Sequence, residues 1–185
     1  MRVTGLDPSL TGAGVARIFP DTNDPRGFRI VVRRFSSKPT DDTLPARGTR
    51  LRGMCADIVT CAMGSDLVVI EQPSYGNTTG HTHDRSGLWW LVVATLTARG
   101  IPIVEVAPTT LKRYALGKGS GKGVTKDAVF ATVVRRYAHL VEVNSNDEAD
   151  ALVLASMGRR HLGCPIDAGL PLTHTRAIEV VRWPT

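Results

Sequence analysis

Nowhere does this 185-residue chain approach the ~20 consecutive apolar residues needed to cross a bilayer, which excludes a helical membrane span. The opening Met1–Asp7 lacks the apolar centre of a signal peptide and reads as a strand, which predicts a cytoplasmic protein with no membrane partner. Cysteine is scarce. Cys55, Cys61 and Cys164 are an odd number, at spacings that suit neither a disulfide framework nor a zinc site. Cys55 and Cys61 fall in a predicted helix and are expected to pack as small, reduced thiols. Internal repeats and long low-complexity linkers are absent, so one domain with a single core is expected.

Phosphate-binding loops are missing too. Gly117–Gly123 is rich in glycine and lysine, but no Gly lies five residues before Gly121 and no Ser or Thr follows Lys122, so it is not a Walker A loop. It also fails Gly-x-Gly-x-x-Gly, and a cationic loop against phosphates fits better. His81 and His83 have no third partner at metal-ligand spacing and read as a polar loop. No serine or cysteine nucleophile has a convincing base.

Charge is plentiful and one-sided. The net charge is +6, with a pI near 9.7, which suits a polyanionic partner although it can also simply confer solubility. Its distribution is more informative: Lys112, Arg113, Lys118, Lys122 and Lys126 occupy a stretch with no acid between Val106 and Lys126. A second basic run holds Arg26, Arg29, Arg33, Arg34 and Lys38.

Periodicity predicts strands over 2–6, 12–19, 27–35, 66–71 and 101–106. Helices are predicted over 44–63, 84–99, 108–114, 126–138 and 147–161, with Thr125 as an N-cap and a short helix near 174–181. In the first helix Leu51, Met54, Ile58 and Ala62 share a face. Leu88–Ala94 is apolar nearly all round, and adjacent Trp89 and Trp90 point about 100° apart, so one of them is available to a second subunit. An antiparallel hairpin followed by two parallel crossovers gives an α/β fold: a mixed five-stranded sheet with helices on both faces.

Four carboxylates stand where a metal site would need them. Asp7 ends the first strand and Glu71 the fourth, at one edge of neighbouring strands. Asp147 and Asp150 lie three apart at the start of the last long helix, on a shared face. Converging carboxylates repel unless cations neutralise them, and hard oxygen donors suit Mg²⁺ or Mn²⁺. Taken singly, Asp7 before Pro8 can be a turn residue, Asp147 an N-cap, and Asp150 a solvated helix acid. Glu71, closing an apolar strand before Gln72 and Pro73, is the hardest to explain away.

With these residues in view, Gly5-Leu-Asp7-Pro-Ser-Leu-Thr-Gly-Ala-Gly14 resembles the first-strand signature of the RuvC family of Holliday junction resolvases. Val69-Ile-Glu71-Gln is similar to that family's second acidic strand, and Asp147-Glu-Ala-Asp150-Ala-Leu to its C-terminal acidic helix. The pattern spans roughly residues 2 to 160. The ending Val180-Val-Arg-Trp-Pro is similar to the ends of some phage-encoded members. The resemblance implies an RNase H-like fold with sheet order 3-2-1-4-5, a nuclease domain over 1–163, and 164–185 as its C-terminal extension. It implies a crossover junction endodeoxyribonuclease leaving 5′-phosphate and 3′-hydroxyl ends on branched DNA, in a bacterial cell or an infected host. Asp7, Glu71, Asp147 and Asp150 would hold two Mg²⁺ ions, with Mn²⁺ able to substitute.

Lys126 would act at the scissile phosphate, with Lys122 a rival because the Gly/Lys insertion shifts the alignment. Lys112, Arg113, Lys118, Lys122 and Lys126 would bind DNA; for the lysines the alternative is solvated surface charge. Tyr75 follows Ser74 at the family's aromatic position near the junction centre, and is equally readable as a packed or exposed loop residue. A homodimer would place two sites on opposing strands. Rival functions are a relaxed flap and fork nuclease, an actin-like ATPase, and a junction-binding module without cleavage.

Overall fold

The computed structural model describes residues 1–73, 82–167 and 169–184. The chain opens as an antiparallel meander of β1 (Val3–Asp7), β2 (Ala13–Pro20) and β3 (Phe28–Phe35). Helix α1 (Leu44–Ala62) leads to β4 (Leu67–Glu71), and α2 (Thr82–Thr97) to β5 (Ile103–Val106). Then follow α3 (Pro108–Leu116), α4 (Lys126–Tyr137), α5 (Asn146–His161), the short α6 (Leu172–Thr175) and a 3₁₀ turn over Arg176–Ile178. The sheet order is β3-β2-β1-β4-β5, with β1 antiparallel to β2 and parallel to β4.

Side-chain alternation sorts the sheet into two faces. Val3, Leu67, Val69 and Val104 pack with α3, α4 and α5, whereas Leu6, Val68 and Ile70 pack with α1 and α2. Because β4 is covered on both sides, Leu67–Ile70 is a continuous apolar run. Thr43 caps α1 by accepting from the Ala46 N–H at 3.4 Å. Its core face is Met54, Cys55, Ile58, Val59 and Ala62, with Leu51 only half-buried. Cys55, Cys61 and Cys164 are free thiols, and burial pushes those of Cys55 and Cys61 up. His83 lies exposed in the first turn of α2 rather than in a loop.

Helix α5 is buried continuously from Ala149 to Arg159, so it behaves as a central rod against β1, β2 and β4. Its approach is set by glycine. A Cβ on Gly5 would lie 2.0 Å from the Ala151 carbonyl oxygen, and one on Gly14 1.8 Å from that of Asp147. No side chain fits at either place while the helix stays where it is.

The tail beyond 164 is tied to the same face. The Asp167 carboxylate accepts from the Tyr114 hydroxyl at 2.9 Å and the Tyr137 hydroxyl at 2.5 Å, and pairs with Arg160 at 2.8 Å. Burial first, and then the Asp167 charge, push both phenols far up, so they remain donors. Trp183 stacks on His161 with ring centroids 4.2 Å apart.

Gly5→Ala should therefore cost about 3 kcal/mol or more, because two backbones must separate. Gly48→Ala, in α1 with open space around its Cβ, should instead gain roughly 0.5–1 kcal/mol. Urea unfolding of the two variants checks this; equal effects would contradict the close-approach account.

Candidate metal centre and its basic rim

Asp7 and Glu71 are the last residues of neighbouring parallel strands whose register sets Leu6 beside Ile70. The next residues along, Asp7 and Glu71, therefore emerge side by side on the α5 face. The Trp89 indole donates to the Glu71 carbonyl oxygen at 2.9 Å and so fixes the end of β4 from α2. On the opposing helix, Ser145 caps α5 by accepting from the Glu148 N–H at 3.2 Å. Glu148 in turn accepts from the Asn144 N–H at 2.6 Å. With that helix start fixed, Asp150 one turn in faces the sheet and is 4% exposed.

One carboxylate oxygen each from Asp7, Glu71 and Asp150 lies within 4.8 Å of the others. All three acids are pushed above their ordinary pKa. Desolvation is the main cause for Asp7, followed by the charge of Glu71. Burial likewise raises Glu71. Asp150 is pushed up to about 7, by burial first and then by Asp7. The Lys126 ammonium is 3.9 Å from the Asp150 carboxylate. Burial works against its charge, yet Asp7, Asp150, Glu71 and Asp147 outweigh that and hold its pKa above the usual lysine value.

These groups line a cleft of about 310 Å³ that also takes in Lys112 and Arg85. A larger hollow of about 550 Å³ beside α1 has Asp41 and Asp57 on its wall. Asp41 is already committed to the Thr43 N–H at 2.7 Å, and no acid trio converges there among the described residues.

The four acids expected to converge do so only in part. Asp147 does not join the trio: its Oδ2 accepts from Arg34 Nε at 2.9 Å, on the β2–β3 side. Helical spacing does put Asp147 and Asp150 near one another, but an arginine from a distant strand draws the first away. Asp147 is not the N-cap either, since Ser145 holds that role. Both rival lysines are exposed, but Lys126 lines the cleft and Lys122 does not, its carbonyl accepting from the Lys118 ammonium at 2.9 Å. Lys112 lines the cleft; Arg113 and Lys118 are exposed and are not among its lining residues. Tyr75 lies outside the described residues. Trp89, Arg85 and Arg34 were not singled out for the site, because nothing in their local sequence separates them from a core residue or a surface charge.

The raised acids make a pH prediction for the metal-free protein. An acid whose folded pKa lies above its unfolded value binds its proton more tightly when folded. Stability is then lost as pH rises from near 4 through about 7, the folded value for Asp150. Asp150→Asn should remove that loss, raising unfolding free energy at pH 7.5 by roughly 1–3 kcal/mol and changing it little at pH 4. Urea melts in EDTA at both pH values test this, and an equal shift at both would contradict it.

No family model matches the chain. It is 26% identical over 162 residues to the crossover junction endodeoxyribonuclease RuvC of Synechococcus sp. strain WH7803, covering 85% of this chain and 97% of that one. Among solved structures, Thermus thermophilus RuvC superposes with a TM-score of 0.67 at 17% identity, over 89% of this chain and 98% of its own. Fowlpox virus resolvase, solved with substrate Holliday junction DNA, gives 0.59 at 12% identity, over 88% and 99%. The five-stranded order and the helices on both faces give this chain the RNase H-like fold of those resolvases, and it is similar in sequence to RuvC proteins along most of its length.

Proposed function

We propose that this chain is a divalent-metal-dependent endonuclease that resolves four-way DNA junctions. The observation that carries the reading is the Asp7–Glu71–Asp150 trio, with Asp7 and Asp150 buried and Glu71 half-buried, converging in a lysine-lined cleft where burial holds each acid's pKa up. Such a trio is costly to bury as anions and gains from a hard cation. Its all-oxygen donor set suits Mg²⁺, or Mn²⁺ in its place. The RuvC-like fold and the junction-bound fowlpox relative support branched DNA as the substrate.

Asp7, Glu71 and Asp150 would hold the first ion, and Asp147 would join them for a second. When bound, the ions supply an activated water and charge stabilisation at the leaving oxygen, giving 5′-phosphate and 3′-hydroxyl ends. Lys126 places its ammonium over Asp150, where it would meet the non-bridging oxygens of the scissile phosphate. Lys112 would hold the same backbone from the α3 side. Arg113, Lys118 and Lys122 extend the positive rim, and contacts of this kind position the duplex without reading sequence.

A two-fold dimer would give paired cuts. Trp90 is 64% exposed on α2, edge-on to buried Trp89 with ring centroids 4.9 Å apart, and Leu91 is exposed beside it. These side chains are the proposed contact between protomers.

The test is cleavage of a labelled four-way junction in Mg²⁺, with flap, fork and linear duplex controls. Symmetric nicks confined to the junction are expected. Asp7→Asn should abolish them, and Lys126→Ala should slow them about 10²–10³-fold with less effect on junction binding. Equal cutting of flaps and forks would favour a relaxed nuclease, and intact junctions with either metal would remove the enzymatic reading. Light scattering should give a dimer that Trp90→Asp converts to monomer.

A further inference from the structure

Asp147 is held, not merely turned aside. Arg34 rises from the edge strand β3, where it pairs with Gly14 of β2. Its Nε donates to Asp147 Oδ2 at 2.9 Å, and its Nη2 reaches the Thr11 carbonyl oxygen at 3.3 Å. Beneath this pair the chain has no side chain. A Cβ on Gly12 would lie 2.3 Å from Arg34 Nη2 and 2.4 Å from Asp147 Oδ2. A Cβ on Gly14 would run into the Asp147 backbone. Gly12, in the loop before β2, thus leaves room for the ion pair, and Gly14 leaves room for the start of α5 that carries Asp147.

The hold is partial. The Arg34 side chain is 41% exposed and that of Asp147 23%, so water screens the attraction and the pair is a weak one. Asp147 nonetheless stays close enough to the trio for its charge to push Asp7 and Asp150 up. An acid at that distance, on a screened ion pair, is free to change partners when a stronger cation arrives.

We propose that Arg34 is a positioning residue that competes with a metal ion for Asp147, parking this carboxylate on β2 until a divalent cation draws it into the site. The inference rests on the metal-binding reading of the trio. Arg34 lowers the repulsion that Asp147 would add to three crowded acids, and it does so at the expense of affinity for the ion that uses Asp147.

Mn²⁺ binding to the DNA-free protein, read from the free-ion EPR signal, tests this without reference to cleavage. Arg34→Gln should tighten the weaker Mn²⁺ site about two- to fivefold, the range of an exposed pair. Removing any positive charge favours cations, so Arg33→Gln, one residue along β3 and exposed, serves as the charge-matched control and should shift binding much less. In an Asp147→Asn background the Arg34→Gln effect should vanish. Arg34→Lys keeps the charge without the guanidinium geometry, so it should fall between wild type and Arg34→Gln, which guards against a folding defect in the glutamine variant. Equal shifts for Arg33→Gln and Arg34→Gln, or an Arg34 effect that survives Asp147→Asn, would overturn the competition while leaving the metal site standing. A wild-type protein that binds no Mn²⁺ would overturn both.

Discussion

Everything near the cleft follows from burying three carboxylates together. Asp7, Glu71 and Asp150 are brought within 4.8 Å by two strand ends and one helix, and among the described residues the ammonium of Lys126 lies at ion-pair distance from Asp150. Like charges in a desolvated place cannot all ionise without cost, so all three acids hold their protons to higher pH than ordinary carboxylates do. The fold absorbs this because α5 cannot retreat. It is pressed onto β1 and β2 at Gly5 and Gly14, and it is braced behind by α3, α4 and the Asp167 network. Stability is spent on holding the site in a form that favours a cation.

The same geometry divides labour among the basic residues. Lys126 and Lys112 sit on the cleft wall, in the same hollow as Asp7, Glu71 and Asp150. Arg113, Lys118 and Lys122 stand outside, where they add to the field without touching the acids. Arg34 is a third kind, because its partner is an acid of the site itself.

Much of this was legible in the sequence. Asp7 and Glu71 are strand-terminal acids, and two parallel crossovers after a hairpin place those strands side by side; the observed order and the Leu6–Ile70 register agree. Thr125 and the helix it opens were equally readable, because capping is local. The fate of Asp147 was not. Spacing of three on a helix does bring it close to Asp150, but its partner Arg34 lies 113 residues away, and only the tertiary fold brings β3 to the start of α5. Gly12 and Gly14 could be recognised as part of a motif without revealing that the first makes room for an ion pair and the second for the start of α5. Trp89 reads as core from its neighbours, and its bond to the Glu71 carbonyl depends on α2 packing beside β4. The tail resisted reading because its order comes from Asp167, not from periodicity.

The most direct measurement of the central claim is anomalous diffraction from crystals soaked in Mn²⁺. The account predicts a peak at oxygen-ligand distance from the carboxylates of Asp7, Glu71 and Asp150, with Asp147 turned from Arg34 toward any second peak. Manganese found only elsewhere on the molecule, with the three acids still in mutual contact and no ion between them, would contradict it.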